Sequence, residues 1–159
     1  MDRQGTLYVA DGGNKTIRMI RGDQVNNLIT KDEVSLDWPC GVCIGKDGNL
    51  YFTDRYKQVV CKVIDGKATV LAGILSKGDE DGAQGTLSTP TGIVEGEEGE
   101  FYVTCLDSGS IRKVSKDGSL STICTGLQAP YGITKDSSGN LYVAELGGSV
   151  VRVDSNVWG

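Results

Sequence analysis

Short apolar runs bounded by glycine or proline recur along the whole chain and read as β-strands. Four of them are near-copies: Gly5-Thr6-Leu7-Tyr8-Val9-Ala10-Asp11, Gly48-Asn49-Leu50-Tyr51-Phe52-Thr53-Asp54, Gly99-Glu100-Phe101-Tyr102-Val103-Thr104-Cys105 and Gly139-Asn140-Leu141-Tyr142-Val143-Ala144-Glu145. Their tyrosines are separated by 43, 51 and 40 residues. A period near 40 made of short strands is the sequence mark of a propeller blade. Upstream stand Pro39-Cys40-Gly41-Val42, Pro90-Thr91-Gly92-Ile93 and Pro130-Tyr131-Gly132-Ile133, each leading into a first strand. Proline is tolerated at a strand entrance because its missing N–H need not join the ladder. Downstream, Ile17-Arg18-Met19-Ile20, Cys61-Lys62-Val63-Ile64, Ile111-Arg112-Lys113-Val114 and Val151-Arg152-Val153-Asp154 supply a third strand. The hairpin signals Asp65-Gly66 and Asp117-Gly118 follow in two copies. Fourth strands are expected at Val25 to Ile29, Ala68 to Leu71 and Leu120 to Cys124.

The pattern predicts an all-β fold, a β-propeller of four-stranded antiparallel blades, with about 3.5–4 blades in this chain. A single domain over 1–159 is expected, with repeats at about 5–30, 39–73, 90–125 and 130–154 and an inter-blade insertion at 74–89. The first copy starts at its second strand and the last stops after its third, so 14 strands are expected. Closed propellers have about 4 to 8 blades. The expectation is therefore a partial ring that self-associates through its open blade edges, or a fragment of a longer propeller. The Pro-x-Gly-Ile, Gly-Asn-Leu-Tyr-Val-Ala-Asp and Ile-Arg motifs together resemble the NHL repeat over essentially the whole chain. That resemblance implies a propeller that binds a protein or peptide partner as a non-catalytic scaffold. Related propellers include RNA binders, lyases and lactonases, and a lactonase- or hydrolase-type enzyme is the alternative.

Charge narrows the choice. The net charge is −5, and the 16 basic residues are spread thinly, whereas nucleic-acid binders need a basic face. No apolar run approaches the roughly 20 residues of a membrane helix. The start, Met1-Asp2-Arg3-Gln4-Gly5, lacks the apolar core of a secretory signal. The five cysteines, Cys40, Cys43, Cys61, Cys105 and Cys124, are odd in number and irregular in spacing. They read as reduced thiols of a cytoplasmic protein. Cys40 and Cys43 form a C-x-x-C, but in a strand i and i+3 face opposite ways, and no histidine is present to complete a zinc site. No metal and no cofactor are expected.

Two sets of residues stand out. Three of the four repeat tyrosines are followed by an acid and then a cation, which predicts intrablade pairs Asp11–Arg18, Asp54–Lys62 and Glu145–Arg152 across the second hairpin. Cys105 breaks the pattern, leaving Arg112 to Asp107 or a backbone carbonyl. The candidate partner-binding residues are Arg55, Tyr56, Trp38, Tyr131 and Asp107, because loops between strands carry propeller recognition and Arg, Tyr and Trp anchor interfaces. Asp79, Glu80 and Asp81 in the insertion hint at a cation, although similar loops connect NHL-like blades. The run Glu95 to Glu100 reads as a solvated turn. Nothing catalytic is legible. His, the commonest general base, is absent, and the first strands offer Val42, Ile44, Ile93, Ile133 and Thr134 to the channel, with no convergent acids.

Overall fold

The chain forms an arc of four consecutive antiparallel sheets in a computed structural model that describes residues 1–29, 31–32 and 35–158. Thr30, at the edge of the first repeat, and Gly159 lie outside the described residues. Blade I contains β1 (Leu7–Asp11), β2 (Thr16–Arg21) and β3 (Gln24–Asn27). After the two-residue β4 (Lys31–Asp32), blade II contains β5 (Pro39–Ile44), β6 (Leu50–Asp54), β7 (Val59–Ile64) and β8 (Lys67–Ala72). Blade III contains β9 (Pro90–Glu95), β10 (Phe101–Cys105), β11 (Ser110–Val114) and β12 (Leu120–Cys124). Blade IV contains β13 (Pro130–Lys135), β14 (Leu141–Glu145) and β15 (Val150–Val153), followed by one helical turn, Ser155–Trp158. The expected fourteen strands are all present. A fifteenth, β4, lies parallel to β8, so the chain leaving blade I runs along the outer edge of blade II.

Three hydrophobic cores lie between consecutive blades. One joins Ile17 of blade I to Leu50, Phe52, Val59 and Cys61 of blade II. The next joins Tyr51, Val60 and Ala72 to Phe101, Val103, Val114 and Leu120. The third joins Tyr102 and Ile111 to Leu141, Val143 and Val153. Strand alternation explains the division. In each Leu-Tyr-Val motif the two flanking residues face the preceding blade and the tyrosine faces the following one. The first-strand residues Val42, Ile44, Ile93 and Ile133 pack against these cores; Thr134 is exposed.

The Pro-x-Gly motif has a structural role in this packing. Between Pro39 and Val42, and between Pro130 and Ile133, the first strand carries one residue more than its partner, a β-bulge. The same offset separates Pro90 and Ile93 from Cys105 and Val103. The Gly41 N–H is taken by the Thr53 hydroxyl at 2.9 Å, and that hydroxyl donates to the Thr91 carbonyl of blade III at 2.7 Å. Gly92, Thr104 and the Tyr131 carbonyl of blade IV repeat the arrangement at 2.9 and 2.6 Å. A Cβ on Gly41 would lie 2.3 Å from the Thr91 oxygen, and one on Gly92 would lie 2.4 Å from the Tyr131 oxygen. Glycine is required at these two positions because the neighbouring blade's backbone occupies the space.

Candidate functional site

The starts of the first strands and the loops between second and third strands lie at one end of the sheets. At this end Trp38, just before β5, meets Tyr56 from the β6–β7 loop, with ring centroids 5.5 Å apart and planes tilted by 50°. The guanidinium carbon of Arg55 lies 5.2 Å from the centre of the Tyr56 ring, near enough for a cation–π contact. Tyr131, from blade IV, shares a hydrogen bond with the Cys40 thiol at 3.1 Å. That bond is the main reason the Tyr131 hydroxyl titrates above its usual range; burial adds to it and Arg55 opposes it. Asp107, from blade III, is bonded by the Lys77 ammonium and by the Thr89 hydroxyl (2.6 Å) and feels Arg55 electrostatically, and its carboxyl is held below the ordinary value. Three of the five sequence candidates thus form a chain of contacts, Trp38 to Tyr56 to Arg55, and the fourth, Tyr131, feels the Arg55 charge. Asp107 borders the cluster with its charge already matched.

Asp54 organises this cluster, a role the sequence reading did not assign to it. Its two carboxylate oxygens accept the backbone N–H groups of Asp37 (2.7 Å), Trp38 (3.0 Å), Tyr56 (3.2 Å) and Lys57 (3.1 Å). One fully buried carboxylate therefore ties the Trp38 segment to the Arg55-Tyr56 loop. Asp at the base of a loop commonly accepts the N–H groups that follow it, as Asp54 does from Tyr56 and Lys57. Trp38 remains 37% exposed and Tyr56 52% exposed. Arg55 has no carboxylate within ion-pair distance among the described residues, and its buried Nε has no acceptor. An unmet buried donor costs on the order of 1–3 kcal/mol.

The expected ladder of ion pairs forms in only one blade as the sequence reading drew it. Arg18 reaches Asp11 at 3.0 Å. Lys62 does not reach Asp54 but pairs with Asp47 at 3.1 Å. Arg152 does not reach Glu145 but pairs with Asp154 at 2.6 Å, while Glu145 accepts the Gln128 N–H. Register is the cause: a one-residue change turns a side chain to the other face. Arg18 lies opposite Val9 and so shares a face with Asp11, whereas Lys62 lies opposite Tyr51 and Arg152 opposite Tyr142, on the tyrosine face. That face holds a different recurring contact. The hydroxyls of Tyr8, Tyr51, Tyr102 and Tyr142 donate to Asp2, Asp47, Glu100 and Asp136 in the turn of their own blade.

Arg112 accounts for the acidic insertion. Opposite Val103 it points toward blade II and is fully buried. It donates to the carbonyls of Thr86 and Glu80, both at 2.8 Å, and to the Asp81 carboxylate at 2.9 Å. Of the alternatives expected for it, the backbone carbonyl is realised and Asp107 is not. The cation held by this loop is the chain's own guanidinium.

At the other end of the sheets a cavity of about 750 Å³ opens between blades II and III over Tyr51, Phe101 and Leu71. Its rim charges answer one another. Both oxygens of Glu95 take the Lys46 N–H, Glu97 lies between Lys46 and Lys135, and Lys62 holds Asp47. The run is a solvated turn as expected, with the Glu97 side chain 70% exposed, and its ion pairs also link blades II, III and IV. The thiols are free; burial pushes Cys43 and Cys61 up to about 12 and Cys105 up to about 11. No group of three or more His, Cys, Asp or Glu side chains gathers into a metal-ligating cluster among the described residues, and no described helix is long and apolar enough to cross a membrane.

No family model matches the chain. It is 32% identical over 132 residues to Protein SUPPRESSOR OF QUENCHING 1, chloroplastic, from Arabidopsis thaliana, covering 77% of this chain and 12% of that protein. It is 24% identical over 159 residues to virginiamycin B lyase from Nocardia farcinica, covering 96% of this chain and 52% of the lyase. Among solved structures, a protein of unknown function from Bacteroides thetaiotaomicron superposes with a TM-score of 0.79 at 24% identity, over 92% of this chain and 43% of that one. A catalytically inactive histidine-to-alanine form of virginiamycin B lyase from Staphylococcus aureus, solved with quinupristin, gives 0.67 at 16% identity over 97% and 53%. The chain thus spans about half the length of the lyases it matches, and the fold is that of a β-propeller.

Proposed function

We propose that the end of the arc carrying Trp38, Arg55, Tyr56 and Tyr131 binds a protein or peptide partner and catalyses no reaction. The observation that carries this reading is the convergence of an exposed aromatic pair, an arginine and a tyrosine from two different blades onto one rigid platform anchored by Asp54. Trp, Tyr and Arg are the residues over-represented among interface anchors. Enzymes occur among the similar proteins, but the S. aureus lyase is inactive when a histidine is replaced by alanine, and these 159 residues contain none. The NHL-like repeat is compatible with the scaffold role.

Panning a phage-displayed random peptide library against the purified chain tests the reading. Selected peptides should lose most of their affinity for Tyr56→Ala and Trp38→Ala, and keep it for Lys116→Ala on the opposite end. Peptides that bind all three variants equally would remove this face as the site. Turnover of a lactone or a cyclic depsipeptide by the wild-type chain would replace the scaffold with an enzyme.

A further inference from the structure

Resting on that reading, we infer that the partner presents an internal acidic side chain, Glu or Asp, next to an aromatic or aliphatic one, the carboxylate meeting Arg55 and the apolar group meeting Trp38 and Tyr56. The argument starts from the two arginines held inside the arc. Arg112 is fully buried; its Nε lacks an acceptor, as that of Arg55 does, but its two terminal nitrogens donate to two carbonyls and the Asp81 carboxylate. Arg55 is half-buried and has no such partner. A guanidinium stays charged at any physiological pH, so a partly desolvated one whose neighbouring carboxylate, Asp107, is already paired with Lys77 favours an incoming anion.

The nearby carboxylates are committed elsewhere. Asp54 spends both oxygens on four backbone N–H groups, Asp107 is bonded to Lys77 and Thr89, and Asp37 pairs with Lys15 at 3.0 Å. None can turn to Arg55 without giving up an existing contact. The contact of Arg55 with the Tyr56 ring pre-positions the guanidinium, which lowers the ordering cost of binding. The exposed faces of Trp38 and Tyr56 lie beside it, so an isolated carboxylate would leave the apolar part of the platform uncovered. A carboxylate with an apolar neighbour in the same segment covers both. An internal side chain is chosen over a chain terminus because the amides of the segment around Arg55 are committed and cannot take a terminal carboxylate's second oxygen: those of Asp37, Trp38, Tyr56 and Lys57 are taken by Asp54, and that of Arg55 by the Trp38 carbonyl at 3.0 Å.

The test is an array of immobilised 11-residue peptides with central Glu-Phe, Glu-Leu and Asp-Trp pairs, their Gln and Asn counterparts, and matching sequences ending in a free carboxylate. The acidic internal cores should bind the wild-type chain about tenfold more tightly than the amide cores. Raising the salt should shrink that margin. Arg55→Gln should abolish the margin, Arg55→Lys should restore part of it, and Tyr56→Ala should weaken acidic and amide cores alike. Equal binding of acidic and amide cores, or a margin that survives Arg55→Gln with an unchanged unfolding midpoint, would overturn the inference and leave the peptide-binding reading in place. Preference for the terminal carboxylates would overturn the internal-residue assignment. Failure of every core, acidic and amide alike, would overturn both.

Discussion

Blades I and IV carry almost the same second strand, Leu7-Tyr8-Val9-Ala10-Asp11 and Leu141-Tyr142-Val143-Ala144-Glu145, in opposite circumstances. Leu141 and Val143 are fully buried against blade III, whereas Leu7 and Val9 are 46% and 43% exposed because no described blade precedes them. The same side chains in the same strand geometry thus contribute a full core layer in one place and little in the other. A propeller blade does not own its core; each core belongs to a pair of blades, as in other repeat proteins whose stability is a sum of neighbour interfaces. This comparison can be broken or sharpened experimentally.

The largest contrast is between Phe52 and Val9, which hold the same motif position. Phe52→Ala should cost about 3–5 kcal/mol, and Val9→Ala well under about 1 kcal/mol, in denaturant unfolding. Tyr51→Ala should approach the Phe52 value, since its ring is buried against Phe101 with centroids 4.1 Å apart. Similar costs at Phe52 and Val9 would mean that the exposed face of blade I is covered in solution. Arg112→Ala comes next, at about 3 kcal/mol, because it empties a fully buried site and leaves the Thr86 and Glu80 carbonyls without their donor. Arg18→Ala, at the surface, should stay within about 1 kcal/mol.

Glycine substitutions sharpen the picture on the inner strands. Gly92→Ala should destabilise by about 1–3 kcal/mol through overpacking against the Tyr131 carbonyl. Gly132→Ala, whose Cβ would meet nothing closer than 3.9 Å, should change stability by no more than about 0.5 kcal/mol. Equal effects would show that inter-blade approach is not what demands glycine. A fourth prediction concerns assembly. We propose that the exposed Leu7 and Val9 of one copy seek the exposed Val150 and Leu146 end of another, so sedimentation should show concentration-dependent association that Val9→Lys weakens. A monomer at all concentrations would defeat this.

The smallest effect is on acid stability. Desolvation pushes the Asp47 carboxyl up, but hydrogen bonds from Tyr51, Asn49 and Lys62 outweigh it and hold the group well below the carboxylate range. Asp136 is held down chiefly by Asn140. A depressed folded value stabilises the fold above the unfolded pKa of about 4, and this contribution is lost as pH falls through the folded value. Stability should therefore begin to fall below about pH 4, and Tyr51→Phe should flatten part of that dependence. A pH profile unchanged by Tyr51→Phe would remove the tyrosine–turn contact as a source of the shift.

The chain's own pattern determined the blades: a two-residue alternation sets which face each side chain takes, and Gly, Pro and Asp-Gly set where strands stop, all of which are local properties. That Trp38, Arg55, Tyr56 and Tyr131 lie at one end of the sheets was legible for the same reason, because strand entrances and the second-to-third-strand loops share that end. Which acid meets which cation was not legible, because that depends on the pairing offset of β6 with β7 and of β14 with β15, where one residue reverses the face. The use of the acidic insertion by Arg112 was equally hidden, since loop and guanidinium are about 30 residues apart and meet only through the packing of blade II on blade III. Burial of Leu141 and exposure of Leu7 could not be read from nearly identical motifs; only the presence or absence of a neighbouring sheet decides them, because apolar area is removed from water by what packs against it and not by the strand that carries it.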